Sequence, residues 1–246
     1  MRRTTLLTAL ALLLAPASLQ AQWAKKYSIF CDGNNLAGVA SGTADNAVAV
    51  GALSDGQGGT KPVLLYTIDR GENWAEAPAP SQFSLIISVS MPDANTVYGA
   101  GLGLYKSTSG GSSYAAVSIP GTSLFTGFTQ VDAFSAAHAA AVSGSDVYRT
   151  HSGQAWDATK TGMDAELNAV FMLDAGRLWI AGGKVENITE TDPYTGEEVI
   201  VDVKVLPNGL VMSSTDGGKT FEPLVMGAPE VYYHLAFANE LIGLAV

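Results

Sequence analysis

Apolar residues in this chain come in short runs separated by clusters of Gly, Asp, Asn, Ser and Pro. Leu85 to Ser90, Thr96 to Ala100 and Leu102 to Ser107 are three such runs, and a fourth, Ala115 to Ile119, follows Tyr114. The order recurs as Leu167 to Leu173, Arg177 to Ala181, Gly209 to Ser213 and, after Phe221, Glu222 to Val225. Each run is of strand length, and the separators Pro92-Asp93-Ala94-Asn95 and Asp174-Ala175-Gly176 are turn formers, so the pattern predicts strands in groups of four.

One phrase punctuates the groups. It reads Thr67-Ile-Asp69-Arg-Gly71-Glu-Asn73-Trp74, Ser107-Thr-Ser109-Gly-Gly111-Ser-Ser113-Tyr114, a shortened Thr150-His-Ser152-Gly153-Gln-Ala-Trp156, and Ser214-Thr-Asp216-Gly-Gly218-Lys-Thr220-Phe221. Its aromatics are spaced by 40, 42 and 65 residues. The last step implies an insertion of about two dozen residues, and four strands per roughly 41 residues is the cadence of a propeller blade. The phrase falls in the turn between the third and fourth strands. There a carboxylate such as Asp69 or Asp216 can accept from the turn's own N–H groups while the hydroxyl of Thr67 or Ser214 caps the outgoing strand. Gly71, Gly111 and Gly218 supply backbone angles that a side chain would penalise. Trp74, Tyr114, Trp156 and Phe221 are expected to fold back, largely buried, into the blade core.

These residues resemble the Asp-box, or BNR-repeat, propellers, whose pattern is Ser/Thr-x-Asp-x-Gly-x-Thr/Ser-Trp/Phe/Tyr. Ser214 to Phe221 is a full match and Thr67 to Trp74 departs only at Asn73. Ser107 to Tyr114 has Ser109 in place of the acid, and Thr150 to Trp156 lacks one residue. The segment Leu178-Trp179-Ile180-Ala181-Gly182, with Leu210 to Gly218, is most similar to the photosystem II assembly and stability factor family and its secreted bacterial relatives. The resemblance spans residues 35 to 246. It implies an all-β propeller of four-stranded blades and an interaction or assembly role. Sialidases, xyloglucanases and sortilin-type receptors share the box, so the resemblance fixes no activity.

Ala24 to Phe30 reads as a strand without its own blade, suited to completing a last blade. Val231 to Phe237 and Glu240 to Val246 read as the first two strands of a fifth. About four and a half blades are therefore expected in this chain, as part of a six- to eight-bladed ring, with a closed five-bladed ring as the alternative. The insertion, 184–208, is predicted to be a hairpin: Val185 to Thr191 pairs with Val199 to Val205 across the turn Asp192 to Gly196. A smaller insertion, Ser54 to Lys61, occupies the equivalent place in the first unit. Asn187-Ile188-Thr189 fits a glycosylation acceptor. Loops on a rigid scaffold are where binding resides, and Glu190, Asp192, Tyr194, Glu197 and Glu198 are the binding candidates.

Met1-Arg2-Arg3, the apolar run Leu6 to Leu14 and the small residues Ala15, Ala17 and Ala21 have the order of a secretory signal peptide. Residues 1–21 are expected to be removed, leaving 22–246 as a periplasmic or extracellular propeller. No apolar run is long enough to span a bilayer as a helix. Loss of Arg2 and Arg3 leaves 11 basic against 23 acidic residues, a formal charge of −12. That field disfavours nucleic acid and anionic lipid. Cys31 is the one cysteine, which excludes an internal disulfide and a multi-cysteine metal site.

The candidate chemistry is thin. Arg70 and Arg149 lie at boxes, away from the face where a sialidase arginine cluster would converge. His138, His151 and His234 have no metal-ligand spacing. Asp93, Asp132, Asp164 and Asp174, near the ends of first strands, could in principle supply paired carboxylates for glycoside hydrolysis, with turn residues as the plain reading. The expectation is a non-enzymatic interaction module with no cofactor or metal and a protein, or alternatively a carbohydrate, as partner. A glycoside hydrolase on the same fold is the alternative function.

Overall fold

The computed structural model describes residues 35–54, 59–80, 85–123, 126–192, 194–195 and 197–246. The signal segment, Ala24 to Phe30 and Cys31 lie outside the described residues, as does part of 54–61. The first blade is β1 (Asn35–Ser41), β2 (Ala47–Ser54), β3 (Thr60–Thr67) and β4 (Ala75–Glu76). The second is β5 (Ile86–Ser90), β6 (Val97–Gly101), β7 (Gly103–Ser107) and β8 (Ala115–Ala116), and the third is β9 (Gln130–Ala133), β10 (Ala139–Ser143), β11 (Asp146–Thr150) and β12 (Asp157–Lys160). The fourth uses β13 (Glu166–Met172), β14 (Leu178–Gly183), β17 (Gly209–Ser214) and β18 (Glu222–Ala228), with the hairpin β15 (Val185–Thr191) and β16 (Glu198–Val205) inserted between its second and third strands. The pair β19 (Leu235–Asn239) and β20 (Ile242–Ala245) follows.

Each four-stranded sheet is an antiparallel meander, ordered first to fourth strand. The first strands pack in series, β1 on β5, β5 on β9, β9 on β13 and β13 on β19. Sheets that succeed one another with their first strands adjacent around one axis are the blades of a β-propeller. Closure into a ring is not seen among the described residues.

The middle strands explain themselves. β6 (VYGAG) and β14 (LWIAGG) are buried at every position because a neighbouring blade covers each face, and such strands carry continuous rather than alternating apolar sequence. The core is therefore a row of seams between blades. Tyr98, Ala100 and Leu104 pack on Val131, Ala141, Tyr148 and Trp156 between the second and third blades. Ala140, Val142 and Val147 pack on Leu167, Val170, Leu178 and Ile180 between the third and fourth. Trp179 stacks on Phe237 at 4.2 Å, carrying the series on to β19.

Two expectations change in detail. The ladder of the second blade's fourth strand ends at Ala116 rather than Ile119, although Val117 N still donates to Leu104 O. The final pair begins at Leu235, because Tyr232 N turns to Gly182 O and the Tyr232 carbonyl receives Asn168 Nδ2.

The box aromatics are not uniformly buried. Trp156 is 4% exposed, whereas Trp74, Tyr114 and Phe221 are half-buried, each closing the rim of a core cluster rather than sitting inside it. Trp156 is enclosed because it meets Tyr98 of the preceding blade edge-on at 5.9 Å. Trp156→Ala is accordingly expected to cost roughly 3–5 kcal/mol in denaturant unfolding. Trp74→Ala should cost less than that, since its ring leaves more surface in water than Trp156 does and gains less transfer free energy on folding. Equal losses for the two would contradict this burial difference.

Candidate functional site

The first strand of a blade pairs with its second along one edge only, and the N–H groups on its other edge need partners. Side chains of the preceding blade supply them. Ser88 and Ser90 on β5 accept from Val131 N and Ala133 N of β9 at 3.2 and 3.0 Å. One blade on, Gln130 Oε1 and Asp132 Oδ2 of β9 accept from Val170 N and Met172 N of β13 at 2.7 and 2.8 Å. Alternate side chains on one face thus meet alternate amides, a match that follows from the two-residue period of both strands.

Asp132 is the hub of this series. Its other oxygen accepts from Ser90 Oγ and Ala133 N, both at 2.9 Å. Burial pushes the carboxyl above its ordinary range, while the Met172, Ser90 and Ala133 donors act in the opposite direction. The turn-residue reading is therefore corrected for Asp132, which lies within β9 and ties three blades together. Asp93 and Asp174 do hold turns, accepting from Asn95 N and Thr96 N and from Gly176 N and Arg177 N respectively. Asp164 is exposed and paired with Lys184 at 2.9 Å. These four carboxylates are engaged separately, and the structure does not bring them together as a pair.

At the opposite turns the boxes share one geometry. Asp216 Oδ1 accepts from Lys219 N and Thr220 N and from Ser214 Oγ, and Oδ2 accepts from Thr220 Oγ1 at 2.7 Å. Asp69 does the same with Asn73 N, Asn73 Nδ2 and Thr67 Oγ1, so Asn73 replaces the usual hydroxyl without loss of the bond. Ser214 Oγ and Thr67 Oγ1 accept from Gly218 N and Gly71 N, and Ser107 Oγ from Gly111 N. Two successive residues in each full box have left-handed backbone: Gly110 and Gly111, Gly217 and Gly218, and, with a side chain in the first position, Arg70 and Gly71. Arg70 is held there by Asp45 at 2.7 Å. The shortened third box keeps one left-handed residue, Gly153, and Ser152 Oγ stands where the carboxylate would be, accepting from Gln154 N and Ala155 N.

Sequence reasoning missed a second use of these turns. In the first three boxes the residue preceding the hydroxyl reaches the box of the next blade: Lys106 Nζ donates to Gly153 O at 2.8 Å, Arg149 Nη1 to Gly218 O at 2.6 Å, and Tyr66 lies against Gly111. The positions 66, 106 and 149 were a visible signal, three long side chains in register one residue before the phrase.

The inserted hairpin stands apart from the blades, and every residue of β15 and β16 is exposed. Facing pairs put Val185 with Val205, Asn187 with Val203 and Thr189 with Ile200 on one side. The other side carries Glu186 with Lys204, Ile188 with Asp202 and Glu190 with Val199, and a bulge passes over Val201. Of the predicted binding residues, Asp192 Oδ1 closes the tip by accepting from Tyr194 N and Thr195 N, Tyr194 is 96% exposed, and Glu198 faces Thr191. Glu190, Glu197 and Glu198 all lie at the tip end of the arm, with Glu198 on the opposite face from Glu190. The β-branched face, which carries a single charge, Glu198 opposite Thr191 at its outer end, is the feature that acid counting passed over, although Val199-Ile-Val-Asp-Val-Lys-Val displays it. Among the described residues no group of three His, Cys, Asp or Glu could hold a metal ion, and no helix is long and apolar enough to cross a membrane.

No family model and no curated protein matches the chain. Among solved structures, YCF48 bound to the D1 peptide aligns over 86% of this chain and 90% of its own, at 18% identity and a TM-score of 0.41. YCF48 from Cyanidioschyzon merolae aligns over 84% and 75%, at 18% identity and 0.46. The GH74 xyloglucanase from Xanthomonas campestris aligns over 82% of this chain but only 42% of its own, at 14% identity and 0.48. The likeness is one of fold, and the propeller assignment rests on the sheet order and first-strand series above.

The second box tests the carboxylate's contribution. Donors hold Asp69 and Asp216 below the ordinary value of 3.8, the largest effects coming from the Asn73 and Thr220 backbones. A carboxylate depressed on folding stabilises above its unfolded pKa and loses that contribution as pH falls through the folded value. Ser109 Oγ now meets the hydroxyls of Ser113, at 2.8 Å, and Ser107, at 3.3 Å. Ser109→Asp should raise stability at pH 7 by about 0.5–1 kcal/mol in urea unfolding, with the gain shrinking below about pH 4. A gain that persists undiminished at acid pH would exclude the ionised carboxylate as its source.

Proposed function

We propose that this chain is a secreted or periplasmic, non-enzymatic propeller that binds a polypeptide partner through the arm 184–208. The exposed β-branched face of the arm carries the reading. Val203 and Ile200, 51% and 59% exposed, are aliphatic side chains held in water on a hairpin that contributes nothing to a blade core. Exposed apolar faces rimmed by charge mark interaction surfaces. The rim sets the partner's chemistry. Six acids in 184–208 face two lysines, Lys184 is already paired with Asp164, and Lys204 lies opposite Glu186. A segment bearing aliphatic and basic side chains complements both the face and the charge. Polypeptide is also the ligand class in the YCF48 structure with its D1 peptide. The leader-like residues 1–21 support an exported location. The glycoside hydrolase reading has less support, because Asp93, Asp132 and Asp174 are each occupied by backbone donors.

Replacing 184–208 with a short turn should leave the melting temperature almost unchanged, since the β14–β17 ladder does not depend on the arm. The same replacement should abolish capture of a partner, and Ile200→Asp with Val203→Asp should do so while leaving the arm in place. Capture by wild type should weaken with added salt, as charge complementarity requires. Capture unaffected by the replacement would overturn the assignment, as would loss of folding.

A further inference from the structure

Five basic side chains meet where the third blade joins its neighbours. A Cβ built at Gly217 would lie 2.5 Å from His151 Cε1, and one at Gly218 would lie 3.2 Å from Arg149 Cδ. Lys219 is the next residue, so three consecutive positions of the fourth box turn carry or touch a basic group. His138, from the turn between β9 and β10, meets the His151 ring edge-on at 5.7 Å, and its Nδ1 is 3.0 Å from Ser135 Oγ. Lys106 approaches from the second blade, its Nζ donating to Ala136 O in that same turn and to Gly153 O in the third box.

Arg149 is 9% exposed, yet among the described residues its guanidinium is held by neutral oxygens, Gly218 O and Thr159 Oγ1, and its Nε has no hydrogen-bond partner there. Asp157, its facing residue across the β11–β12 ladder, makes no bond to the guanidinium among the described residues and so offsets its field only in part. The acids facing the cluster are Asp157, which opens β12, Asp93, whose charge acts on Lys106, and Asp216, whose oxygens are taken up by Ser214, Lys219 and Thr220. Burial, and then the charges of Arg149, His138 and Lys219, push the His151 imidazole down, with Asp157 opposing. The chain as a whole has a formal charge of −10, so this seam has the opposite character to its surroundings.

We propose that the seam binds a small oxyanion, a sulfate- or phosphate-type group, between His151, His138 and Lys219, with Arg149 fixing the turn that presents Lys219. Protonation of the two histidines places like charges together beside Arg149, and an anion relieves that repulsion. Binding and protonation are thus linked, each strengthening the other. The site is separate from the arm, and neither proposal depends on the other.

The probe is sodium sulfate, compared with sodium chloride at equal ionic strength, read by the histidine Cε1–H resonances of the full chain across pH 5 to 8. His234, which bonds through its backbone to Val246 at the far pair of strands, is the internal control. Sulfate is expected to raise the proton affinity of His151 saturably, by roughly tenfold, as an opposite charge at close range does, and to move the resonance of the neighbouring His138 with the same saturation. His234 should respond equally to both salts. The exposed Lys219→Glu variant, which leaves the box bonds through the Lys219 backbone in place, should fold normally and lose saturation. Inorganic phosphate should repeat the sulfate response. A non-saturating shift common to all three histidines, or saturation unchanged in Lys219→Glu, would overturn the site.

Discussion

The unpaired edge of each first strand is the constraint on which the remainder depends. A four-stranded antiparallel blade leaves a row of backbone N–H groups on its inner strand, in a position too enclosed for free hydration. Ser88, Ser90, Gln130 and Asp132 meet them, each from the blade before. An unsatisfied buried amide costs about 1–3 kcal/mol, so this series carries as much weight per bond as the apolar seams carry per side chain. It also fixes register between blades, since a one-residue slip would turn the acceptors away from the amides.

At the other end of each sheet, the boxes add a second set of ties. Their internal bonds shape the turn, and their carbonyls receive Lys106 and Arg149 from the preceding blade. Inner strands and outer turns together make a scaffold whose polar groups are largely committed to holding it together. The arm differs from it in kind. It forms only its own two-stranded ladder and holds aliphatic side chains in water, the arrangement expected of a binding element carried by a rigid support.

Much of this architecture was legible in the sequence because it is periodic. Leu167 to Leu173 and Arg177 to Ala181 anticipate β13 and β14 to within two residues, and the hairpin 185–205 was readable from its two runs and the Asp192 turn. What was not legible depends on neighbours in space. Asp132 looks like a turn residue beside Ala133 and Phe134, and only the approach of β13 makes it an acceptor for Met172. The fuller burial of Trp156 than of Trp74 depends on a neighbour in space, Tyr98 of the preceding blade, which meets the Trp156 ring edge-on. The basic seam is assembled from residues 106, 138, 149, 151 and 219, and no linear spacing announces it.

Native-state hydrogen exchange at the first-strand amides tests the central claim most directly. The account predicts that Val131, Ala133, Val170 and Met172 are protected as strongly as amides inside a blade ladder. It also predicts that Asp132→Ala speeds exchange at Met172 by roughly tenfold or more, with Val170, held by Gln130, much less affected. Met172 exchanging in the wild-type chain as fast as an exposed loop amide would show that the blades are not joined in this way.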